Sequence, residues 1–209
     1  MTGIKLVNLN MLVDEIGEGA AKAYLSDFSC PLNPDVESFI KFKAIDFAKQ
    51  GLSQTHLLLM PFKGEPVTVG YFTLANKYIT VSAKNLNSSI KGRLKRFALF
   101  DSSIKAYCFS APLLAQIGKN YANGYDRLIN GDALLSIACD KIKGIQYDLG
   151  GRFAYVECED KPKLVEFYRR NGFYEFDSRP LDRDETGVFG DALVQLLKYM
   201  GKQEGGPTR

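Results

Sequence analysis

The sequence predicts an α/β fold with a mixed, mostly antiparallel sheet and a central parallel strand-helix-strand unit. A hairpin of two strands lies in the first half, and a long amphipathic helix separates two apolar strands in the second half. These two strands span residues 113–117 and 153–158. A strand that follows a crossover helix returns parallel to the strand before it, so these two are expected to be parallel neighbours.

Size and composition predict one soluble domain. The chain has 209 residues, of which 45% are hydrophobic, enough to bury a single core. We therefore expect one domain over residues 1–200 and a flexible tail over residues 201–209. Neither an apolar run of about 20 residues nor a signal-peptide pattern is found, which predicts a cytoplasmic protein without a membrane anchor. The four scattered cysteines and the single histidine, His56, lack metal-ligand spacing, so no metal site is expected.

The first long helix is predicted over residues 33–50. Asn33 is a suitable N-cap, Pro34 occupies the first turn and Gly51 follows the end. Its apolar positions recur at helical spacing. They are Val36, Phe39, Ile40, Ala44 and Phe47.

Strands precede and follow this helix. The first is expected near residues 4–8. Residues 55–62 and 67–75 form two further strands, and the turn-forming run 63–66 joins them as an antiparallel hairpin. Residues 78–82 are a candidate extension of this meander.

The segment 84–105 is basic, and we predict that it forms a short helix and a loop over one end of the sheet. Its basic residues are Lys84, Lys91, Arg93, Lys95, Arg96 and Lys105. Such a cluster is either a solvated helical face or a surface that contacts phosphates. The net charge of the whole chain, +3, does not decide between them.

The central unit follows. Pro112 is expected to start the strand 113–117 and not to lie inside one. A helix is predicted from Asp132 to about Gln146, and the glycine pair 150–151 ends it before the strand 153–158. Its inward positions share helical spacing. They are Leu134, Leu135, Ala138, Ile142 and Ile145.

The chain is expected to end with a helix and two strands. The helix spans residues 161–170, and the strands span residues 173–176 and 193–199. On the helix, Phe167 and Tyr168 fall on one apolar face, and Gly172 is placed for a left-handed C-terminal cap.

The segment 164–173 reads Leu-Val-Glu-Phe-Tyr-Arg-Arg-Asn-Gly-Phe, and with the strand before it resembles the end of the GNAT acyltransferase fold. The family pattern there is A-x-x-F-Y-x-x-x-G-F, with Leu164 here in the small-residue position. The resemblance implies a GNAT-like acyl-CoA N-acyltransferase fold. It also implies that the hydroxyl of Tyr168 lies against the thiol of coenzyme A.

The same resemblance implies a site for acetyl-CoA. In GNAT enzymes the pantetheine arm binds the strand before the crossover helix, and the pyrophosphate binds amides at the helix N-terminus. The corresponding residues here are Gln116, Ile117, Gly118, Arg127, Leu128, Ile129, Asn130 and Gly131.

The loop departs from the family pattern Q/R-x-x-G-x-G/A. Gly131 matches its final glycine, but Ile129 replaces the first, and Asp126 stands at the Q/R position. Asp132 follows as either a competitor of the phosphates or an ordinary stabilising acid at a helix start. Arg127, with Lys119 as a more distant candidate, could supply phosphate contacts.

A second resemblance covers residues 27–176. The segments 27–34, 51–58, 69–75 and 112–118, followed by the helix of Tyr168, have the order seen in the acetyltransferase toxins of bacterial toxin-antitoxin pairs. This resemblance implies an aminoacyl-tRNA as acceptor, a basic surface that holds the RNA, an antitoxin-like partner protein and a homodimer as a candidate assembly.

The mechanism implied is direct attack of an acceptor amine on the acetyl thioester. Tyr168 would protonate the departing thiolate, and a backbone amide near Ile117 or Gly118 would stabilise the oxyanion. Glu157 either relays a proton through water or faces outward in a structural role. Tyr168 has a structural alternative as well, as a tyrosine at the margin of the core.

Three functions remain open at this point. The first is acetylation of a primary amine, with aminoacyl-tRNA as the first acceptor to test. The second is acetylation of a small-molecule or protein amine. The third is a degenerate, non-catalytic acyl-CoA-binding or interaction module.

Overall fold

The computed structural model describes residues 3–84, 86–182 and 189–201, and the tail expected beyond Gly201 lies outside the described residues. Seventeen elements follow one another in these ranges. They are β1 (Lys5–Asn8), α1 (Leu9–Ile16), α2 (Glu18–Ser26), α3 (Pro34–Ser38), a π-helix (Phe39–Lys43), α4 (Ala44–Lys49), β2 (Gln54–Phe62), β3 (Glu65–Ser82), α5 (Ser88–Phe97), β4 (Leu99–Asp101), β5 (Ala106–Lys119), a 3-10 helix (Ala122–Arg127), α6 (Gly131–Leu149), β6 (Phe153–Glu159), α7 (Pro162–Arg170), β7 (Tyr174–Pro180) and β8 (Ala192–Tyr199).

The strand order confirms the predicted fold class. Hydrogen-bonded neighbours follow the order β1-β2-β3-β5-β6-β8-β7, and β4 pairs with β5. The pairs β1-β2, β2-β3, β4-β5, β6-β8 and β7-β8 are antiparallel. The pair β5-β6 is parallel, with α6 as the crossover helix between the two strands.

The chain divides into two compact units. The first unit comprises Met1–Asn76, Leu113–Ala138 and Asp182–Phe189, and the second comprises Lys77–Pro112, Cys139–Leu181 and Gly190–Arg209. The single domain expected over residues 1–200 stays a prediction.

In the first unit, helices α1 to α4 pack on the hairpin of β2 and β3. Its core contains buried residues from α1, α2, the π-helix and the two strands. The core residues are Leu9, Ala21, Leu25, Phe28, Cys30, Val36, Phe39, Ile40, Ala44, Ile45, Leu57 and Tyr71. His56 lies in β2 with its ring stacked on Phe72, a structural role for the only histidine of the chain.

The predicted helix over residues 33–50 is interrupted. Asn33 caps its start as expected, because its side chain accepts hydrogen bonds from the amides of Asp35 and Val36. A π-helical turn then separates α3 from α4, and the Ala44 amide bonds to the Phe39 carbonyl. Beyond this turn, which contains one extra residue, Ala44 is buried as predicted, whereas Phe47 is 36% exposed.

In the second unit, β8 lies between β6 and β7 and pairs with both. The turn after α7 has the predicted geometry. Gly172 adopts a φ of 82°, and the amide of Phe173 bonds to the Tyr168 carbonyl. This left-handed position favours glycine and ends the helix one turn after Tyr168.

Two sequence-based expectations are wrong. Pro112 lies inside β5, which runs from Ala106 to Lys119, and does not start a strand. A proline is tolerated in a strand where no neighbour needs its missing N–H. The basic segment also contains a short strand, β4, where only a loop was expected.

The cysteines and the acidic side chains bear on the question of a metal site. The four cysteines are free thiols, three of them buried. In the described part of the chain, no group of three or more His, Cys, Asp or Glu side chains could hold a metal ion. None of the described helices is both long and apolar enough to cross a membrane.

Candidate active site

Tyr168 lies on the buried face of α7 in the second unit. Its ring packs edge-on against Phe167 and Phe173, at centroid distances of 5.2 and 5.5 Å. Only 4% of the residue is exposed. Burial, and secondarily the thiols of Cys158 and Cys139, raise the pKa of the phenol well above its usual range. Tyr168 therefore keeps its proton at neutral pH, as a general acid must.

The end of α7 is fixed by side chains around Asn171. The Asn171 side-chain amide donates to the Phe167 carbonyl at 2.8 Å. The Lys198 ammonium donates to the Asn171 carbonyl at 2.7 Å and lies over the Phe173 ring. These bonds satisfy groups that a helix end leaves unpaired, so the turn that carries Tyr168 is held to β8.

Glu157 lies in the middle of a hydrogen-bonded network on β6. Its carboxylate accepts hydrogen bonds from Arg179 on β7, at 2.8 and 2.9 Å, and from Lys77 on β3, at 3.0 and 3.1 Å. Tyr155 donates to the same carboxylate, and Gln195 donates to both Tyr155 and Glu157. The Glu157 side chain is only 8% exposed.

This network sets the charge state of Glu157. Burial by itself would raise the pKa of the carboxyl, but the hydrogen bonds from Arg179, Tyr155 and Lys77 outweigh it and lower the pKa to about 2. Burial and the bond to Glu157 raise the pKa of the Tyr155 phenol in turn. Glu157 is thus a fixed anion with two cationic partners at neutral pH.

Tyr168 and Glu157 lie on opposite sides of β6. Adjacent residues of a strand point to opposite faces, and the neighbour of Glu157 is Cys158, whose thiol influences the Tyr168 phenol. Burial raises the pKa of that thiol to about 12. The two predicted catalytic residues are thus separated by the strand, and their roles stay predictions.

The predicted phosphate-binding loop belongs to the first unit, and one of its own residues caps the helix that follows. The Asn130 side chain accepts from the Ala133 amide at 2.8 Å, and the Asn130 carbonyl accepts from the Leu134 amide at 3.1 Å. Asn130 is therefore the N-cap of α6, which begins at Gly131. A phosphate at the Ala133 amide would have to displace this side chain.

The other loop residues have distinct environments. Ile129 is buried, so the residue that replaces the family's first glycine serves the core. Leu128 is half-buried, and its amide bonds to the Tyr125 carbonyl at 3.0 Å. Arg127 is exposed. Lys119 donates to the Asp126 carbonyl at 2.9 Å, which joins the end of β5 to the loop.

The strand residues Gln116, Ile117 and Gly118 are half-buried at the end of β5. The Gln116 side chain donates to the Asp35 carboxylate at 2.8 Å and ties β5 to α3. Gly118 packs so closely on α3 that a Cβ there would lie 2.5 Å from Cγ1 of Val36. Only a glycine fits at this position without displacing Val36.

The basic cluster lies on and around α5. Asn87 caps this helix, and Ile90 and Leu94 bury one of its faces. The Arg93 guanidinium stacks over the Tyr199 ring at 4.6 Å, so this residue also has a packing role. Residues 84–105 contain six basic residues and one acid, a net charge of +5, whereas the whole chain carries +3. The remainder of the chain is therefore net negative, by two charges.

The network around Glu157 was missed by sequence reasoning except for Glu157 itself. Its partners Lys77, Arg179 and Gln195 come from three strands that are distant along the chain. Strand register brings Gln195 opposite Glu157. No local motif joins these residues.

The fold is similar to solved structures of bacterial toxins. A tyrosine-to-phenylalanine variant of KacT has a TM-score of 0.59 and 14% sequence identity, covering 93% of this chain and 94% of that one. AtaT complexed with acetyl-methionyl-tRNAfMet has a TM-score of 0.58 and 16% identity, covering 91% and 93%. AtaTR bound with AcCoA has a TM-score of 0.54 and 16% identity, covering 94% of each chain.

These likenesses establish the fold. The chain has the fold of the GNAT toxins AtaT and KacT of toxin-antitoxin systems. No protein-family model matches the chain, and no curated protein matches its sequence.

Proposed function

We propose that the protein is an acetyl-CoA-dependent N-acetyltransferase that transfers an acetyl group to a primary amine, with aminoacyl-tRNA as the first acceptor class. The observation that carries the proposal is the buried, protonated phenol of Tyr168 on the helix after β6, within a GNAT-toxin fold. The similar toxin AtaT has been solved with acetyl-methionyl-tRNAfMet, and AtaTR with AcCoA.

In the proposed reaction, the acceptor amine attacks the carbonyl carbon of the acetyl thioester. The C–N bond forms, and the carbonyl oxygen takes the negative charge, to which an amide near Ile117 or Gly118 donates a hydrogen bond. The C–S bond then breaks, and Tyr168 gives its proton to the leaving thiolate. The acceptor amine loses a proton, and the phenolate is reprotonated from solvent.

Glu157 has a limited part in this scheme. With a pKa of about 2, its carboxylate is too weak a base to take a proton from the amine at neutral pH, so its part is limited to orienting a water by a hydrogen bond. An amine next to an ester carbonyl is less basic than a lysine amine and needs little help to lose its proton. The attacking amine can therefore release its proton to water without a base on the protein.

The loop favours one alternative function. The Asn130 side chain already bonds to the Ala133 amide, and Asp132 adds a negative charge at the same helix end. Both features weaken this helix end as a phosphate site, which favours a degenerate, non-catalytic module over an acetyltransferase. The antitoxin-like partner belongs to the same set of proposals, since AtaT has been solved bound to the C-terminus of the antitoxin AtaR.

Calorimetric titration with acetyl-CoA tests the first step. We expect binding in the micromolar to sub-millimolar range, followed by transfer of labelled acetyl to aminoacyl-tRNA. Binding without transfer to tRNA or to small and protein amines would support the non-catalytic module. No heat and no thermal shift at millimolar acetyl-CoA would refute the acetyltransferase and favour a non-catalytic interaction module.

A further inference from the structure

A cavity of about 310 Å³ lies in the second unit beside α5. Its lining includes Lys91 and Lys95, which are one helical turn apart on α5, and the aromatic residues Phe100 of β4 and Tyr107 of β5. Ala83 completes the lining. The volume is at the lower end of the roughly 300–1,000 Å³ typical of small-ligand sites.

The aromatic ring of Phe100 is held in position by the ring of Tyr107. It lies opposite Tyr107 in the β4-β5 ladder, and the two rings are 5.0 Å apart. Tyr107 is 2% exposed, whereas Phe100 is 50% exposed. The buried Tyr107 ring therefore supports the Phe100 ring, which is half exposed to solvent.

The charge around the cavity is positive. Lys91 and Lys95 repel each other at this helical spacing, and an anion between them would relieve the repulsion. The only acid within residues 84–105 is Asp101, next to Phe100 in β4 and thus on the opposite face of the strand. Its carboxylate accepts hydrogen bonds from the amide and hydroxyl of Ser103.

We propose that this cavity binds an unpaired base of an RNA, with the base stacked on Phe100 and the adjoining phosphates bound by Lys91 and Lys95. Bases of any sequence stack on aromatic side chains, and lysines bind phosphates as point charges. The inference rests on the proposed function in one respect, that the acceptor is an RNA. It adds a site for an unpaired base of that RNA, at the end of β5 away from Ile117 and Gly118.

Fluorescence anisotropy tests the site without acetyl-CoA. The probes are a hairpin RNA with a single-stranded 3′ end and the same hairpin with a blunt end. Phe100→Leu keeps an apolar side chain but loses the aromatic face, so we expect affinity for the overhang probe to fall roughly 5- to 150-fold. Affinity for the blunt probe should not change.

Two further variants control for folding and for the position on the strand. Phe100→Tyr keeps a stacking ring and should bind like the unaltered protein. Leu99→Ala changes a neighbour that is 75% exposed on the opposite face of β4 and should also leave binding unchanged. Equal affinities of Phe100→Leu, Leu99→Ala and the unaltered protein for the overhang probe would overturn the proposal.

The contribution of the two lysines is measured by the salt dependence of RNA binding. Replacing both Lys91 and Lys95 by Gln should reduce the slope of log affinity against log salt by about 1.4, since each single-strand phosphate contact contributes about 0.7. The Phe100→Leu variant should retain the full slope. An unchanged slope in the double variant would exclude phosphate binding by this pair.

This test and that of the proposed function can fail independently. Phe100-dependent RNA binding without any acetyl transfer would support the base site and count against the acetyltransferase. Acetyl transfer to charged tRNA with the same KM in Phe100→Leu and unaltered protein would support the enzyme and overturn the base site.

Discussion

At the scale of single residues, one substitution of Tyr168 can distinguish a catalytic role of its hydroxyl from a packing role of its ring. Phenylalanine preserves the ring contacts with Phe167 and Phe173 but removes the donated proton. We expect Tyr168→Phe to lower kcat roughly 10²-fold or more and to leave acetyl-CoA affinity nearly unchanged. Tyr147→Phe, at a tyrosine 91% exposed on α6, is the matched control. Unchanged turnover in Tyr168→Phe would assign Tyr168 to the core alone.

The lowered pKa of Glu157 predicts that the stability of the folded protein depends on pH. Its folded pKa of about 2 lies below the ordinary glutamate value of 4.5, so the folded state binds fewer protons than the unfolded state between these values. The contribution is complete above about pH 4.5 and is lost as the pH falls toward 2. For a side chain 8% exposed it amounts to about 3 kcal/mol at most.

The test is denaturant unfolding of Glu157→Gln from about pH 6 to about pH 2. The variant should be less stable at the upper pH, because Arg179 and Lys77 lose a charged partner, and should lose less free energy of unfolding on acidification. Glu18 is the control, since Lys22 and Lys49 lower its pKa to about 2 as well, but at the surface. Glu18→Gln should change stability little. Parallel pH curves for Glu157→Gln and the unaltered protein would refute the prediction.

At the scale of secondary-structure elements, the start of α6 tests the cofactor site. The helix dipole favours an anion there, and Asp132 supplies a competing charge. Asp132→Asn should therefore strengthen acetyl-CoA binding roughly 2- to 5-fold, as expected for about 0.3–1 kcal/mol. Asp140→Asn, further along the same helix, should have no effect on the calorimetric affinity. Equal affinity in both variants would place the pyrophosphate elsewhere.

Several elements with local signals were predicted from the sequence, whereas features that depend on distant partners were not. Helices α1 and α2 were also missed, although Asn8 caps α1 locally. The caps at Asn33 and Gly172 and the crossover helix all carry short-range signals. The π-turn and the position of Pro112 inside β5 depend on neighbouring elements and carry no such signal. The same limit applies to the site, because Tyr168 belongs to a local motif, whereas the partners of Glu157 come from β3, β7 and β8.

At the scale of the whole molecule, charge is distributed unevenly. Residues 84–105 carry +5 and the rest of the chain carries −2, so a net charge of +3 understates the local field. A concentrated basic surface attracts a polyanion at a distance and loses that attraction as salt is added. Added salt and substitutions in this segment should therefore lower activity if the acceptor is an RNA, but not if it is a small amine.

If the acceptor is a tRNA, acetyl transfer should fall steeply with added salt. Replacing Lys91, Lys95 and Arg96 by Ala should flatten the salt slope by about 0.7 to 0.9 per lost phosphate contact. Arg93 is better left in place, since it also packs on Tyr199. Lys141→Ala with Lys143→Ala on α6 is the control and should leave the slope unchanged. A small-amine acceptor needs no extended basic surface, so salt-insensitive turnover in both variants would exclude this surface as the site of RNA docking.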